Sequence, residues 1–153
     1  MSELPRLKKL LSDHFDGSPW LDVNIMDTLK TISASQAAKK IDHLNSIWQI
    51  VNHIIAWRET NLKRLKDEIA ADPQNNFIEE VKDTSEEAWQ VSLKKLERSQ
   101  HNILSFISTA KDSMLEKVYI TNGFSYYEHL QGILQHDAYH LGQIILLKKL
   151  MAE

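Results

Sequence analysis

Cysteine is absent from this 153-residue chain. That absence excludes disulfides, thiolate nucleophiles, iron–sulfur clusters and cysteine-type zinc sites. Chain breakers are scarce, with only four glycines and three prolines, so long uninterrupted elements are expected. No stretch alternates apolar and polar residues as a half-buried strand would. No apolar run approaches the roughly 18 residues of a membrane span. Ile144 to Leu147 is the longest candidate, and Lys148-Lys149 ends it. The start, Met1-Ser2-Glu3-Leu4-Pro5, lacks the basic and apolar stretches of a signal peptide. The expectation is a cytoplasmic protein with no membrane partner. A basic excess is missing too. The formal net charge is −3, which leaves nothing to neutralise phosphates and argues for no nucleic-acid partner. The densest basic runs, Lys8-Lys9 and Lys148-Lys149, read as solvated helix faces.

What remains is ordinary for a globular chain, at 42% hydrophobic and 25% charged. The length fits a single domain over 1–153 that can build its own core. Apolar residues recur at helical spacing, so the fold class is all-α. Ser46-x-x-Gln49, Thr84-x-x-Glu87 and Ser125-x-x-Glu128 each match a capping box just before an apolar periodic run. Four main helices are predicted at about 4–15, 47–70, 85–111 and 125–150, with a short piece at about 23–32. The Gly17-Ser18-Pro19 turn ends the first, and Asp72-Pro73 stops the second, because a residue before proline disfavours the α region. Long connections are left at 33–45 and 71–84. Such helices pack most simply as an up-down four-helix bundle. Its predicted core is Ile47, Ile50, Val51, Ile54 and Leu65, then Trp89, Leu93, Leu96, Ile103 and Ile107, then Leu130, Ile133, Leu134, Leu141, Ile144 and Ile145. The tryptophans Trp20, Trp48, Trp57 and Trp89 also read as core, with Trp57 the best candidate for a pocket wall.

The informative residues are histidines. His136 and His140 stand at i and i+4, one above the other on a single helix face. That spacing lets two imidazoles bind one metal ion. At about 100° per residue, His129, Ile133, His136, His140, Gln143 and Leu147 fall on one band. Polar groups near a bundle interior are costly without partners, and a metal ion is one partner that could serve all of them. His53 lies among Ile50, Ile54, Ile55 and Trp57. Taken alone it reads as a packed histidine. Asp137 follows the first histidine where zinc proteases carry a glutamate base, but it points about 100° away and reads as a polar contact instead.

The segment Gly132-Ile133-Leu134-Gln135-His136-Asp137-Ala138-Tyr139-His140-Leu141-Gly142-Gln143-Ile144 strongly resembles the last helix of the DinB superfamily of YfiT-like proteins. Asn45 through Trp57 looks like that family's second helix, and Asp16-Gly17-Ser18-Pro19-Trp20 like its first-helix exit. The resemblance implies a four-helix bundle with a three-histidine metal site, whose ligands would be His53, His136 and His140. It also implies a two-fold homodimer, as bundles commonly form. His129, Gln143 and Trp57 become neighbours of the ligands or pocket residues. Asp137, Gln143, Asn52 and Glu59 are candidate acceptors for the ligands' second N–H groups.

Three imidazoles leave an open coordination position, the pattern of a catalytic site. Zinc or nickel suits such ligands. Characterised members of the resembled family include transferases that use a low-molecular-weight thiol. The expectation is therefore a metalloenzyme, a thiol S-transferase or a hydrolase acting on a small-molecule substrate. One divalent ion and an external thiol would be its cofactors, and no catalytic side chain can be named. The alternatives are a non-catalytic metal-binding stress-response bundle and a helical interaction module without metal.

Overall fold

The computed structural model describes residues 2–152. Six α-helices follow in order: α1 (Glu3–Asp16), α2 (Ile25–Leu29), α3 (Ala34–Ala38), α4 (Ile47–Leu65), α5 (Glu86–Thr109) and α6 (Tyr126–Met151). A 3-10 turn at Asp112–Glu116 precedes the last. Among the described residues there is no strand, only an isolated bridge between Val118 and Ser125. No helix among them is long and apolar enough to cross a membrane.

Local chemistry sets these boundaries. Ser46 and Gln49 form a complete capping box at α4, and Ser125 and Glu128 form one at α6. In each, the side chains satisfy backbone N–H groups that the first turn leaves without partners. A further box, Ser33 with Gln36, starts α3 inside the expected 33–45 connection. The expected box at Thr84 does not form. Ser85 is the cap of α5 instead, its oxygen accepting from the Ala88 N–H. The helix expected to reach residue 70 ends at Leu65. Asp67 adopts φ 64°, and the Glu68 N–H returns to the Lys63 carbonyl while Asp67 N–H reaches Arg64. This is a Schellman ending with aspartate where glycine is usual. The short piece near 23–32 is α2 alone, capped by Asn24.

The four long helices form the expected four-helix bundle, but consecutive helices do not all alternate in direction as an up-down order requires. α4 lies against α5 and α6, and α1 lies against the same two. Contacts give the directions. Trp48 meets Ser92 and Arg58 meets Gln100, so α4 and α5 run parallel. His53 meets His136 while Asn61 meets His129, so α4 and α6 run antiparallel. The long connection 66–85 returns the chain along the bundle to permit this.

Two apolar clusters fill the interior. One gathers Phe15, Leu29, Ile54, Trp89, Leu96, Leu141 and Ile144. The other gathers Leu7, Leu11, Leu62, Ile103, Leu130 and Ile133. Between them each long helix contributes one buried polar side chain: His14, Arg58, Gln100 and Asp137. The Arg58 guanidinium donates to Asp137 and to Gln100. Gln100 in turn donates to the Leu11 carbonyl at 3.1 Å, and His14 reaches the Asp137 backbone. Burial pushes the Asp137 carboxyl up to about 6, while the Arg58 charge opposes the rise. Trp48 and Trp89 are core, 5.1 Å apart, their indole N–H groups donating to Ser92 and the Ile32 carbonyl. Trp20 is not core; it is 96% exposed, at the rim of a surface groove that Leu10 and His14 of α1 and Leu134 of α6 also line.

The buried pair generates a prediction. Asp137→Asn strands the Arg58 charge and costs about 3–5 kcal/mol in urea unfolding. The double variant Arg58→Met, Asp137→Leu recovers most of that loss, and a double variant as unstable as the single one would contradict this account.

Candidate metal centre

His53 projects from the middle of α4, and His136 and His140 project from α6 one turn apart. The antiparallel packing of these helices brings all three imidazoles together. The Nε2 atoms of His53 and His136 lie 2.9 Å apart, and those of His140 and His136 lie 3.1 Å apart. One ligand atom from each falls within 4.8 Å of the others, a group that could hold a metal ion. Three nitrogens on a tetrahedral zinc would be about 3.3 Å apart, so the two close pairs need to open by only a few tenths of an ångström.

The second nitrogens fix the rings. His53 Nδ1 donates to the Asn76 carbonyl at 2.6 Å, and His140 Nδ1 donates to Gln143 Oε1 at 2.6 Å. Both acceptors demand a proton on Nδ1, so both Nε2 atoms turn lone pairs inward. Those lone pairs face a third ring nitrogen, and a cation or a proton is what such a point attracts. Burial lowers all three pKa values. His136 is pushed down to about 3, first by burial and then by the neighbouring His140, His53 and Arg58. Burial also lowers His53 and His140, opposed by their Asn76 and Gln143 hydrogen bonds. The neutral form is the one that ligates metal.

The other expected residues sort clearly. Gln143 is an acceptor for a ligand-type histidine, as anticipated. Asn52 and Glu59 are exposed and touch none of the three rings. Asp137 serves Arg58 rather than an imidazole. The acceptor for His53 is a backbone carbonyl in the 66–85 connection, which no side-chain pattern marks. Trp57 is half-buried and donates to Asn76 Oδ1 at 2.9 Å, so it walls the site and steadies the same loop. His129 lies two turns before His136 on α6, buried among Tyr119, Phe124 and Tyr126, with Nδ1 donating to Asn61 Oδ1 at 3.0 Å.

Space exists on both sides of this centre. A cavity of about 530 Å³ exposes the trio together with Ile50, Trp57 and Tyr139. A second, of about 420 Å³, lies toward the start of α6 and shares Trp57 and His136 as walls.

Comparison with known proteins bears on both fold and partners. No curated protein matches the sequence. Among solved structures, the colibactin self-resistance protein ClbS, determined in complex with double-stranded DNA, superposes with a TM-score of 0.68 at 16% identity over 95% of each chain. That likeness confirms the fold. It also overturns the exclusion of nucleic acid, because a protein of this same architecture is seen with a duplex. The physical fault in that exclusion is that net charge sums the whole surface, whereas phosphates meet local groups. Here α5 exposes Lys94, Lys95 and Arg98 on one stretch. The family model described as DinB superfamily matches residues 23–144. With the bundle and most of the sequence in agreement, this chain belongs to the DinB superfamily.

Proposed function

We propose that this protein is a metal-dependent enzyme in which His53, His136 and His140 hold one divalent ion, zinc or nickel by donor type. The reaction class is transfer of an external low-molecular-weight thiol to a small molecule, or hydrolysis of one. The observation that carries the reading is the convergence of three Nε2 atoms whose neighbouring Nδ1 atoms are tied to Asn76 and Gln143. A divalent ion would supply Lewis acidity that lowers the pKa of a thiol or a water. The chain's own groups do the positioning. Asn76 and Gln143 hold two rings in the ligating tautomer. Trp57, Ile50 and Tyr139 line the approach. The adjoining cavity leaves room beside the rings for a reactant, which favours catalysis over a closed stress-response store. The absence of cysteine fits a thiol that arrives from outside the chain.

Purified protein analysed by elemental mass spectrometry should carry about one divalent ion per chain, and His136→Ala should carry none. No ion in the wild type after incubation with zinc, nickel and manganese would leave a helical interaction module without metal. The pH dependence has a definite sign. With all three imidazoles held below the ordinary histidine value of about 6.5, protons compete only at lower pH. Zinc affinity should therefore stay level from about pH 8 down to 6.5 and fall below it. A decline that starts near neutrality would mean the rings titrate as ordinary histidines.

A second reading has its own support. The ClbS likeness and the exposed Lys94, Lys95 and Arg98 favour contact with duplex DNA. Fluorescence anisotropy with a labelled duplex should then show binding that weakens steeply as salt rises. Anisotropy unchanged at low salt would remove this reading.

A further inference from the structure

The faces of α4 and α6 that carry the three histidines continue beyond them. On α4, His53, Trp57, Asn61 and Arg64 follow one another at helical spacing, and on α6 His136 is preceded by Gly132 and His129. All of these except His53 line the 420 Å³ cavity, which meets the imidazoles at His136, with Phe124 also on its wall. Arg64 is the charged residue at the end away from the imidazoles. It is 5% exposed, yet it sits on the cavity wall.

Its guanidinium is fixed. Nε and one terminal nitrogen donate to the Ala70 carbonyl at 3.0 and 2.7 Å. The plane lies over Trp57 at 5.6 Å and Tyr119 at 5.3 Å. Its paired carboxylate, Asp72, is 73% exposed, so solvent weakens that attraction. The carboxylate that does line the cavity, Glu128, is committed to the α6 cap, where it accepts from Ser125 N–H at 2.7 Å and Oγ at 2.8 Å. A buried, oriented guanidinium with aromatic walls is the chemistry that recognises a carboxylate.

We infer that this cavity anchors the carboxylate of an elongated acidic small molecule whose other end lies at the three imidazoles. The inference rests on the metal-site reading for what happens at that far end, and on Arg64 for the anchoring. His129 and His136 are two turns apart on α6, so the ligand spans about 10 Å. An acidic thiol and a thiol-free acid present the same carboxylate, and the choice of probes separates them.

Calorimetric titration of the metal-free full chain uses glutathione, S-methylglutathione and glutathione diethyl ester. The two acids should bind alike, and the ester about tenfold more weakly or worse. Arg64→Gln should lose a similar factor for both acids. Asn61→Asp, which keeps an acceptor for His129 but adds a negative charge, should lose as much, and it serves where Arg64→Gln does not fold. Lys30→Gln, which removes an exposed positive charge away from the cavity, should bind the acids as the wild type does. Ester binding equal to acid binding would overturn the anchor, as would a folded Arg64→Gln that binds normally. Loss in Lys30→Gln would overturn it too, by showing that the acids respond to overall charge rather than to Arg64. Repeating the titrations with zinc separates the two sources. A gain confined to glutathione assigns an acidic thiol, while an equal gain or none for the two acids assigns a thiol-free acid. Failure of the metal reading would show differently, as no zinc uptake with the Arg64 dependence intact.

Discussion

Arg58 and Asp137 are opposite charges removed from water at the centre of the bundle, each 2% or less exposed. Neither is tolerable there without the other, since a stranded charge at that depth costs about 3–5 kcal/mol. The pair therefore fixes how α4 sits against α6. Two apolar clusters alone would accept small sliding of one helix along another, because leucine packs against leucine in several registers. A polar layer with one member from each long helix accepts one register only. Asp137 is the residue after His136, and Arg58 stands just over one turn beyond His53. The interaction that sets the helix register thus also sets where the imidazoles meet.

The candidate centre reuses the same economy of parts. Burial keeps the rings neutral, and a backbone carbonyl and a glutamine amide keep their lone pairs directed inward. Trp57 joins two duties, walling both cavities and holding Asn76 through its indole N–H. The 66–85 connection is part of the site rather than a tether. It supplies the acceptor for His53, and through Ala70 it also orients Arg64.

Much of this was legible in the residues. Helical periodicity with few breakers marked the four long helices, and two of three suspected capping boxes closed as read. The i, i+4 histidines and the resemblance around them brought forward three rings that the fold does gather at one point. What was not legible has physical causes. The His53 acceptor is a main-chain carbonyl, which every residue carries. The end of α4 uses aspartate in a left-handed conformation, so the usual glycine mark is missing. Arg58 and Arg64 look like surface cations in sequence, and only packing shows them buried. Trp20 followed the general tendency of aromatics toward the core, but it is exposed at a groove rim. The parallel run of α4 and α5 is encoded in the length of a loop rather than in any motif.

The sequence distance between the partners has a thermodynamic consequence. His53 and His136 are 83 residues apart along the chain. Closing so long a loop carries an entropic penalty that local helix formation does not. The contacts that pay back that penalty are apolar and lie above and below the rings, not at them. The shared apolar core of the helices therefore supplies the free energy that closes this loop, and the three imidazoles supply little of it. Evolution can then vary the chemistry at the rings with little loss of that free energy.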